Sequence, residues 1–353
     1  MTQHIYIYSP SGAVRDKAAF KRGVARLKTL GYAVEIDPDA LKSHQRFAGD
    51  DASRLAAIHR AAASGAHIAL TTRGGYGLTR LLGGIDYRAI TQAIENGTQF
   101  VGYSDFTALQ NALLAQTGAI TWAGPALGEG FGVDGTPDDI MEACFDDLVA
   151  GQGEGTGWRL GREDAQLAMD TVAAHADGIS AEGDFYLKDA VLWGGNLSVL
   201  VSQIGTPYFP QIDGGILFLE DVGEHPYRIE RMLTQLLYSG VLARQQAIVL
   251  GQFTEFTKVP HDGSFRLATV VAWLRSQLKV PVLTNLPFGH VQTKVLLPVG
   301  AKVELALQGR EALVVWGHVS HGAGPAHHHD HHHAEGDHGG HDHGHVHHNC
   351  CGH

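Results

Sequence analysis

The first third of the chain alternates short apolar runs with amphipathic stretches, and this alternation constrains the fold more than any other feature. Ile5-Tyr-Ile-Tyr is a strand-type run that ends in the turn Ser9-Pro-Ser-Gly. A helical repeat follows from about Asp16 to Leu30, with Ala19, Phe20, Val24, Leu27 and Leu30 near one face, and Gly31 stops it. Tyr32-Ala-Val-Glu-Ile is the next strand, and a second helix over about Asp51 to Ser64 carries Leu55, Ile58 and Ala62. His67-Ile-Ala-Leu-Thr reads as a buried strand. After it come Arg73-Gly-Gly-Tyr-Gly, a helix through Leu78, Leu81 and Leu82, another near Tyr87 to Glu95, and the apolar pair Phe100-Val101. Strands separated by helices of this length form a largely parallel sheet with crossover helices. Sites in such sheets lie beyond the carboxyl ends of strands, where the Arg73 loop falls.

The same position is taken by Gly102-Tyr-Ser-Asp, where the Phe100-Val101 strand meets a helical pattern through Phe106, Leu109, Ala112, Leu113 and Ala115. Two readings fit Ser104. A serine on a sharp strand-to-helix turn projects its hydroxyl, and the following amide of Asp105 faces the same space, which is the geometry of a nucleophile with half an oxyanion hole. Ser and Asp are also favoured helix caps, and a cap needs no chemistry.

The 353 residues suggest two domains on a prior of roughly 150 residues each. A composition of 44% hydrophobic and 18% charged residues is that of a globular chain with a core. A formal net charge of -11 argues against a nucleic-acid partner, because phosphate neutralisation needs clustered Lys and Arg. No apolar run reaches the roughly 18 residues of a membrane helix. Met1-Thr-Gln-His-Ile-Tyr-Ile-Tyr lacks a signal-peptide layout. The cysteines Cys144, Cys350 and Cys351 imply no disulfide framework, so a reducing cytoplasm is the expected compartment.

The expected organisation is an α/β chain with an N-terminal domain over 1–150 and a linker or lid over 151–184, opened by Gly151-Gln-Gly-Glu-Gly-Thr-Gly. A second domain with more sheet covers 185–317. It contains Ala190-Val-Leu-Trp-Gly-Gly-Asn, Gly215-Ile-Leu-Phe-Leu-Glu-Asp, a helix over about Tyr227 to Ser239, and the strand Ala247-Ile-Val-Leu. A further helix over about Ser264 to Leu278 precedes Val280-Pro-Val-Leu, and two final strands are expected near Lys302 to Leu307 and Ala312 to Trp316. Residues 318–353 hold 15 of the 23 histidines with Gly, Asp and the Cys350-Cys351 pair, and have no apolar periodicity, so disorder is expected. Imidazoles at this density, among them His327, His328, His329, His331, His332 and His333, bind Ni²⁺, Zn²⁺ or Cu²⁺, either as a store or without a role.

A serine nucleophile needs a base, and the base an orienting group. Outside the tail stand His4, His44, His59, His67, His175, His225, His261 and His290. His59 and His67 lie within expected elements, and His44, His175 and His261 in polar loops. His225 precedes Pro226 in a turn. His290 ends Pro287-Phe-Gly-His, where Gly289 allows a tight bend, and is the best-placed base. Leu217-Phe-Leu-Glu-Asp ends in Glu220 and Asp221, either of which could fix a histidine tautomer or simply be a strand-end charge. The Arg73 loop could donate amides to an oxyanion and a guanidinium to a substrate carboxylate, or be a packing turn. No Walker or Gly-x-Gly-x-x-Gly motif is present.

Taken together, Arg73-Gly-Gly-Tyr-Gly, Gly102-Tyr-Ser-Asp-Phe-Thr-Ala-Leu, Trp193-Gly-Gly-Asn-Leu, Phe218-Leu-Glu-Asp-Val-Gly-Glu-x-Pro-Tyr-Arg-Ile-Glu-Arg-Met-Leu and Leu286-Pro-Phe-Gly-His resemble the LD-carboxypeptidase family of serine peptidases. The family includes muramoyltetrapeptide carboxypeptidases and microcin C self-immunity peptidases. The resemblance runs from about Ile5 to Trp316, with the five motifs in the family's order. It implies a Rossmann-like N-terminal domain carrying a nucleophile elbow, followed by a β-rich C-terminal domain. It also implies a Ser-Glu-His triad at Ser104, Glu220 and His290, with oxyanion amides from Asp105 and the Gly74-Gly75 turn. No cofactor is implied. The implied substrate is a murein tetrapeptide, cut before its terminal D-Ala in the cytoplasm by a homodimer. Within the family, an amidase acting on peptidyl nucleotides is the alternative, with Trp158 as a base-stacking side chain. From other classes, a metal-handling protein acting through the tail and a non-catalytic binder on the same fold also remain. The tail is no part of the resemblance.

Overall fold

The computed structural model describes residues 2–175, 184–317 and 319. The chain alternates as expected: β1 (His4–Tyr8), α1 (Lys17–Thr29), β2 (Ala33–Ile36), α2 (Asp51–Ala63), β3 (Ile68–Thr71), α3 (Tyr87–Glu95), β4 (Gln99–Gly102), α4 (Thr107–Thr117) and β5 (Thr121–Ala123). Three of these helices start where an aspartate accepts an otherwise orphan amide: Asp16 from Ala19, Asp50 from Ser53 and Asp86 from Ala89. The expected helix through Leu78 and Leu82 is instead two 3-10 turns, Leu78–Arg80 and Leu82–Gly84. No side chain caps either turn, and Gly83-Gly84 ends the run before an α-helical ladder can build.

The second half continues with α5 (Asp139–Ala150), β6 (Gly155–Arg159), α6 (Arg162–His175), β7 (Phe185–Asn196), α7 (Leu197–Ser202), β8 (Ile216–Val222), α8 (Pro226–Tyr238), β9 (Ala247–Thr254), α9 (Leu267–Gln277), β10 (Val282–Leu283), β11 (Leu297–Val299), β12 (Lys302–Gln308) and β13 (Glu311–Val315). Two sheets result. The first has the order β11-β5-β4-β3-β1-β2, parallel except for β11. The second has the order β10-β9-β8-β7-β12-β13-β6, parallel from β10 to β7 and antiparallel beyond. Among the described residues the fold is therefore mixed α/β with two sheets, both within one compact unit.

Part of the 151–184 stretch is built into the second sheet. β6 pairs with β13, and Trp158 is only 7% exposed, with its Nε1 donating to the Thr284 carbonyl at 3.0 Å. The indole is thus largely taken up by packing rather than presented on a lid. Residues 176–183 of that stretch lie outside the described residues, as do His327, His328, His329, His331, His332, His333, Cys350 and Cys351.

What places the site is the way the halves interlock. β11 follows the His290 loop in sequence yet pairs with β5 of the first sheet, so the chain must cross back as soon as it leaves that loop. Helix α4, which starts at the Ser104 corner, is bonded to the second sheet. Asn111 Nδ2 donates to the Gly194 carbonyl at 2.9 Å, and the Asn196 amide donates to Thr107 Oγ1 at 3.0 Å. On β7 the wholly buried Trp193 donates from Nε1 to Gln245 Oε1 at 2.9 Å. Trp193→Phe keeps most of the ring volume but strands that buried oxygen. It is expected to lower unfolding stability by about 1–3 kcal/mol, read from the urea midpoint at unchanged slope.

Candidate active site

β4 ends at Gly102, and the chain turns through the 3-10 segment Ser104–Phe106 into α4. Ser104 itself has φ 63°, in the left-handed region that costs a non-glycine residue of order 1–3 kcal/mol. Its side chain caps neither the 3-10 turn nor α4, and the α4 N-cap position is Phe106. The cap reading of Ser104 is therefore not what the structure contains. A strained, uncapped serine remains at the end of a parallel strand.

The glycine-rich loop after β3 lies directly against it. A Cβ placed on Gly74 would stand 2.6 Å from Ser104 Cβ, 2.7 Å from its Oγ and 3.4 Å from the Asp105 amide nitrogen, so only a glycine fits. The Asp105 side chain pins this loop. Its buried Oδ2 accepts from Ser11 Oγ at 2.7 Å and from the Leu78 amide at 2.9 Å, tying the corner to the loops after β1 and β3. Burial pushes the Asp105 carboxyl upward, against the pull of those donors. The Gly74 carbonyl is itself held by the Gly12 amide at 3.1 Å.

The second sheet supplies the acid and the imidazole. Glu220, near the end of β8, is 0% exposed, and its Oε2 meets His290 Nδ1 at 2.8 Å. Asn196 Nδ2 donates to the other oxygen of Glu220 at 3.1 Å and also to Asp221 Oδ1 at 2.9 Å. Of the two candidate carboxylates, Glu220 is therefore the one that meets His290. Asp221 turns to the Ser198 and Val222 amides, and burial together with the neighbouring Glu220 charge pushes its carboxyl up to about 6. With Nδ1 committed to a carboxylate, Nε2 of His290 is the nitrogen left to exchange a proton. His290 keeps 18% of its side chain exposed, and its ring packs on that of Tyr103, the residue before Ser104, with centroids 4.8 Å apart. Gly289, at φ 138°, brings this loop onto Glu220, since a Cβ there would meet Glu220 Oε2 at 3.2 Å and the Gln252 carbonyl at 2.9 Å.

Arg73 donates from Nη1 to the Ala13 carbonyl at 3.2 Å, and its Nε lies 3.8 Å from Glu129 Oε1. The two line a cavity of about 520 Å³, which Arg15 and Gln292 also border. Glu129 keeps 41% of its side chain exposed, and the partial desolvation of this recess still raises its carboxyl, with the Arg73 charge opposing the rise. Three of the other histidines are occupied elsewhere. His225 precedes α8 and meets Asp262 at 2.9 Å, His59 accepts the Asp86 amide, and His67 accepts the His4 amide. Among the described residues no group of three His, Cys, Asp or Glu side chains could hold a metal ion. Among the same residues, no helix is long and apolar enough to cross a membrane.

Comparison with known proteins decides the relationship. Residues 5–124 match the LD-carboxypeptidase N-terminal domain, and residues 189–305 match the LD-carboxypeptidase C-terminal domain. The chain belongs to the LD-carboxypeptidase family. It is 31% identical over 300 residues to a probable murein peptide carboxypeptidase of Bacillus subtilis (strain 168), covering 84% of this chain and 86% of that one. The crystal structure of muramoyltetrapeptide carboxypeptidase from Oxalobacter formigenes superposes with a TM-score of 0.75 at 36% identity, over 89% of this chain and 99% of that one. The microcin C7 self-immunity protein MccF of Escherichia coli is 28% identical over 262 residues, 71% of this chain and 74% of that protein. As a member of this serine-peptidase family, the protein is a hydrolase with a peptidase role.

Several residues of the candidate site did not stand out in the sequence. The Asp105 side chain, Asn196, Tyr103 and Lys294 all contact the candidate groups or their loops. Lys294 follows the polar pair Gln292-Thr293 and precedes the apolar run Val295-Leu-Leu, so nothing local marks it as buried. Gly74→Ala places a methyl on the Ser104 hydroxyl. It is expected to lower kcat/KM by about a hundredfold or more while leaving the far-UV circular dichroism intact.

Proposed function

We propose that this protein is a serine carboxypeptidase that hydrolyses the amide bond between the L-centre of the diamino acid and the terminal D-Ala of murein tetrapeptides. The observation that carries the reading is the fully buried Glu220 carboxylate bonded at 2.8 Å to His290, whose ring rests on the residue preceding a strained Ser104. Ser104 Oγ attacks the scissile carbonyl while His290 Nε2 takes its proton, and Glu220 holds the tautomer and stabilises the imidazolium. The oxyanion is met by the Asp105 amide and an amide of the Gly74-Gly75 turn. His290 then protonates the leaving D-Ala amine, and a water activated by the same imidazole releases the acyl group as a free carboxylate. Arg73 binds a substrate carboxylate, a role supported by its place on the wall of the adjacent cavity.

The substrate proposal is supported by likeness to proteins named as murein peptide and muramoyltetrapeptide carboxypeptidases. The second reading, an amidase acting on peptidyl nucleotides, is supported by the likeness to MccF. Incubation with murein tetrapeptide and, separately, with an aminoacyl sulfamoyl adenosine separates them. Release of D-Ala at the higher kcat/KM is expected, and preferential cleavage of the nucleotide overturns the substrate assignment. Ser104→Ala is expected to remove turnover by on the order of 10⁴-fold or more with an unchanged thermal melt, and Glu220→Gln by roughly 10²- to 10⁴-fold. The homodimer and the cytoplasmic setting are further proposals, and the homodimer predicts a light-scattering mass of about twice 37.8 kDa. Deleting the chain after residue 320 is expected to abolish Ni²⁺ and Zn²⁺ retention but not D-Ala release. Loss of release on that deletion gives the tail a part in the enzyme.

A further inference from the structure

The mechanism above makes no use of Lys294, yet its setting is unusual for a lysine. It is 1% exposed, in the turn that follows His290, where an ammonium is rarely found without partners. Its Nζ donates to the Val291 carbonyl and lies 5.1 Å from the centroid of the Tyr103 ring, within cation-π range. That ring is the one on which the His290 imidazole packs. Among the described residues no carboxylate makes a direct ion pair with Lys294, but Glu129, Glu220 and Asp138 all stand within electrostatic reach. The turn is closed by the Val295 amide donating to the Pro287 carbonyl at 2.9 Å and by Thr293 Oγ1 donating to Asp138 Oδ2 at 2.6 Å.

The charged groups around the Tyr103–His290 ring pair come from several elements. They are Glu220 from β8, Glu129 with Arg73 across the recess, Glu255 after β9, and Lys294 from the turn itself. Lys294 is the cation set among these carboxylates, and it stands against the ring on which the imidazole packs. Burial favours the neutral amine of Lys294, and the surrounding acids favour the ammonium.

We propose that Lys294 is a positioning residue for the reaction. Its ammonium holds the Tyr103 ring and the 290–294 turn together so that the imidazole keeps its place on that ring, next to Ser104 in the chain, and its charge offsets Glu220 and Glu129. The inference rests on the assignment of Ser104, His290 and Glu220 made above. Its test therefore uses a probe that needs only an activated serine, a fluorophosphonate. Ser104 Oγ displaces fluoride from phosphorus, and the hydroxyl proton passes to the base.

The full-length protein and its Lys294→Met, Lys294→Gln and Lys294→Arg variants are labelled across pH, with thermal melts alongside. Removing the positive charge from this pocket should move the acid limb of labelling to higher pH. Lys294→Met is expected to label about tenfold or more slowly at pH 7, with the acid limb raised by roughly half a unit or more and Lys294→Arg close to wild type. On peptide substrate the loss should fall on kcat, with KM changed less than about twofold. A folded Lys294→Met that labels at the wild-type rate with the same acid limb overturns the proposal. So does a folded Lys294→Arg as slow as Lys294→Met, since shape and not charge then matters. If Lys294→Met does not fold, Lys294→Gln is read by the same criteria. If neither neutral variant folds, the lysine is structural and the proposal falls. Failure of the underlying assignment looks different, because wild type then labels no faster than Ser104→Ala.

Discussion

The site depends on a carboxylate kept out of water. Glu220 is wholly buried, and an isolated carboxylate there would be strongly disfavoured, so its position is stable only because both oxygens are met. Asn196 meets one and His290 the other, and each must be delivered by a different segment. Asn196 stands at the end of β7, where its side-chain oxygen Oδ1 caps α7 by accepting the Val199 amide. His290 arrives on a loop that can approach only because Gly289 adopts a conformation closed to most side chains. The orientation of the imidazole is thus a consequence of satisfying a buried charge.

The Ser104 half of the site is built from strain and a second buried acid. Ser104 sits at a positive φ, which persists only when the surroundings over-determine it. Those surroundings are the Asp105 carboxylate, which ties together the loops after β1 and β3, and the close approach of Gly74. The two halves meet because β11 returns to the first sheet directly after the His290 loop and because α4 is bonded to β7. Residues 73, 104, 220 and 290 are therefore held by one interlocked framework.

Much of the fold was legible in the sequence because its signals are local. α1, α2 and α3 fall within a residue or two of the expected spans, since Asp16, Asp50 and Asp86 cap them and an apolar face follows each. The helix expected through Leu78 and Leu82 was not formed, because leucine spacing alone does not outweigh uncapped ends and a glycine pair. The 151–184 stretch read as a linker because it is rich in glycine and acids, yet β6 finds its partner in β13, more than 150 residues away in the chain. Nothing local announces a pairing of that range. Trp158 likewise looked available for a ligand until its packing against the second sheet was known.

By itself the sequence determined the alternation of strands and helices, the corner at Ser104, and the set of motifs that names the family, all of which rest on residue type and spacing. Residue type and spacing alone left Ser104 open between cap and nucleophile and Glu220 and Asp221 equal, a choice implied only by the family motifs, and did not mark Lys294 as buried. Only the tertiary structure shows that Ser104 caps no helix, that Glu220 meets His290, and that Lys294 is buried. Whether a hydroxyl caps a helix, which of two adjacent carboxylates meets an imidazole, and whether a lysine is buried all depend on groups brought from distant segments. Those contacts exist only once the two sheets have interlocked.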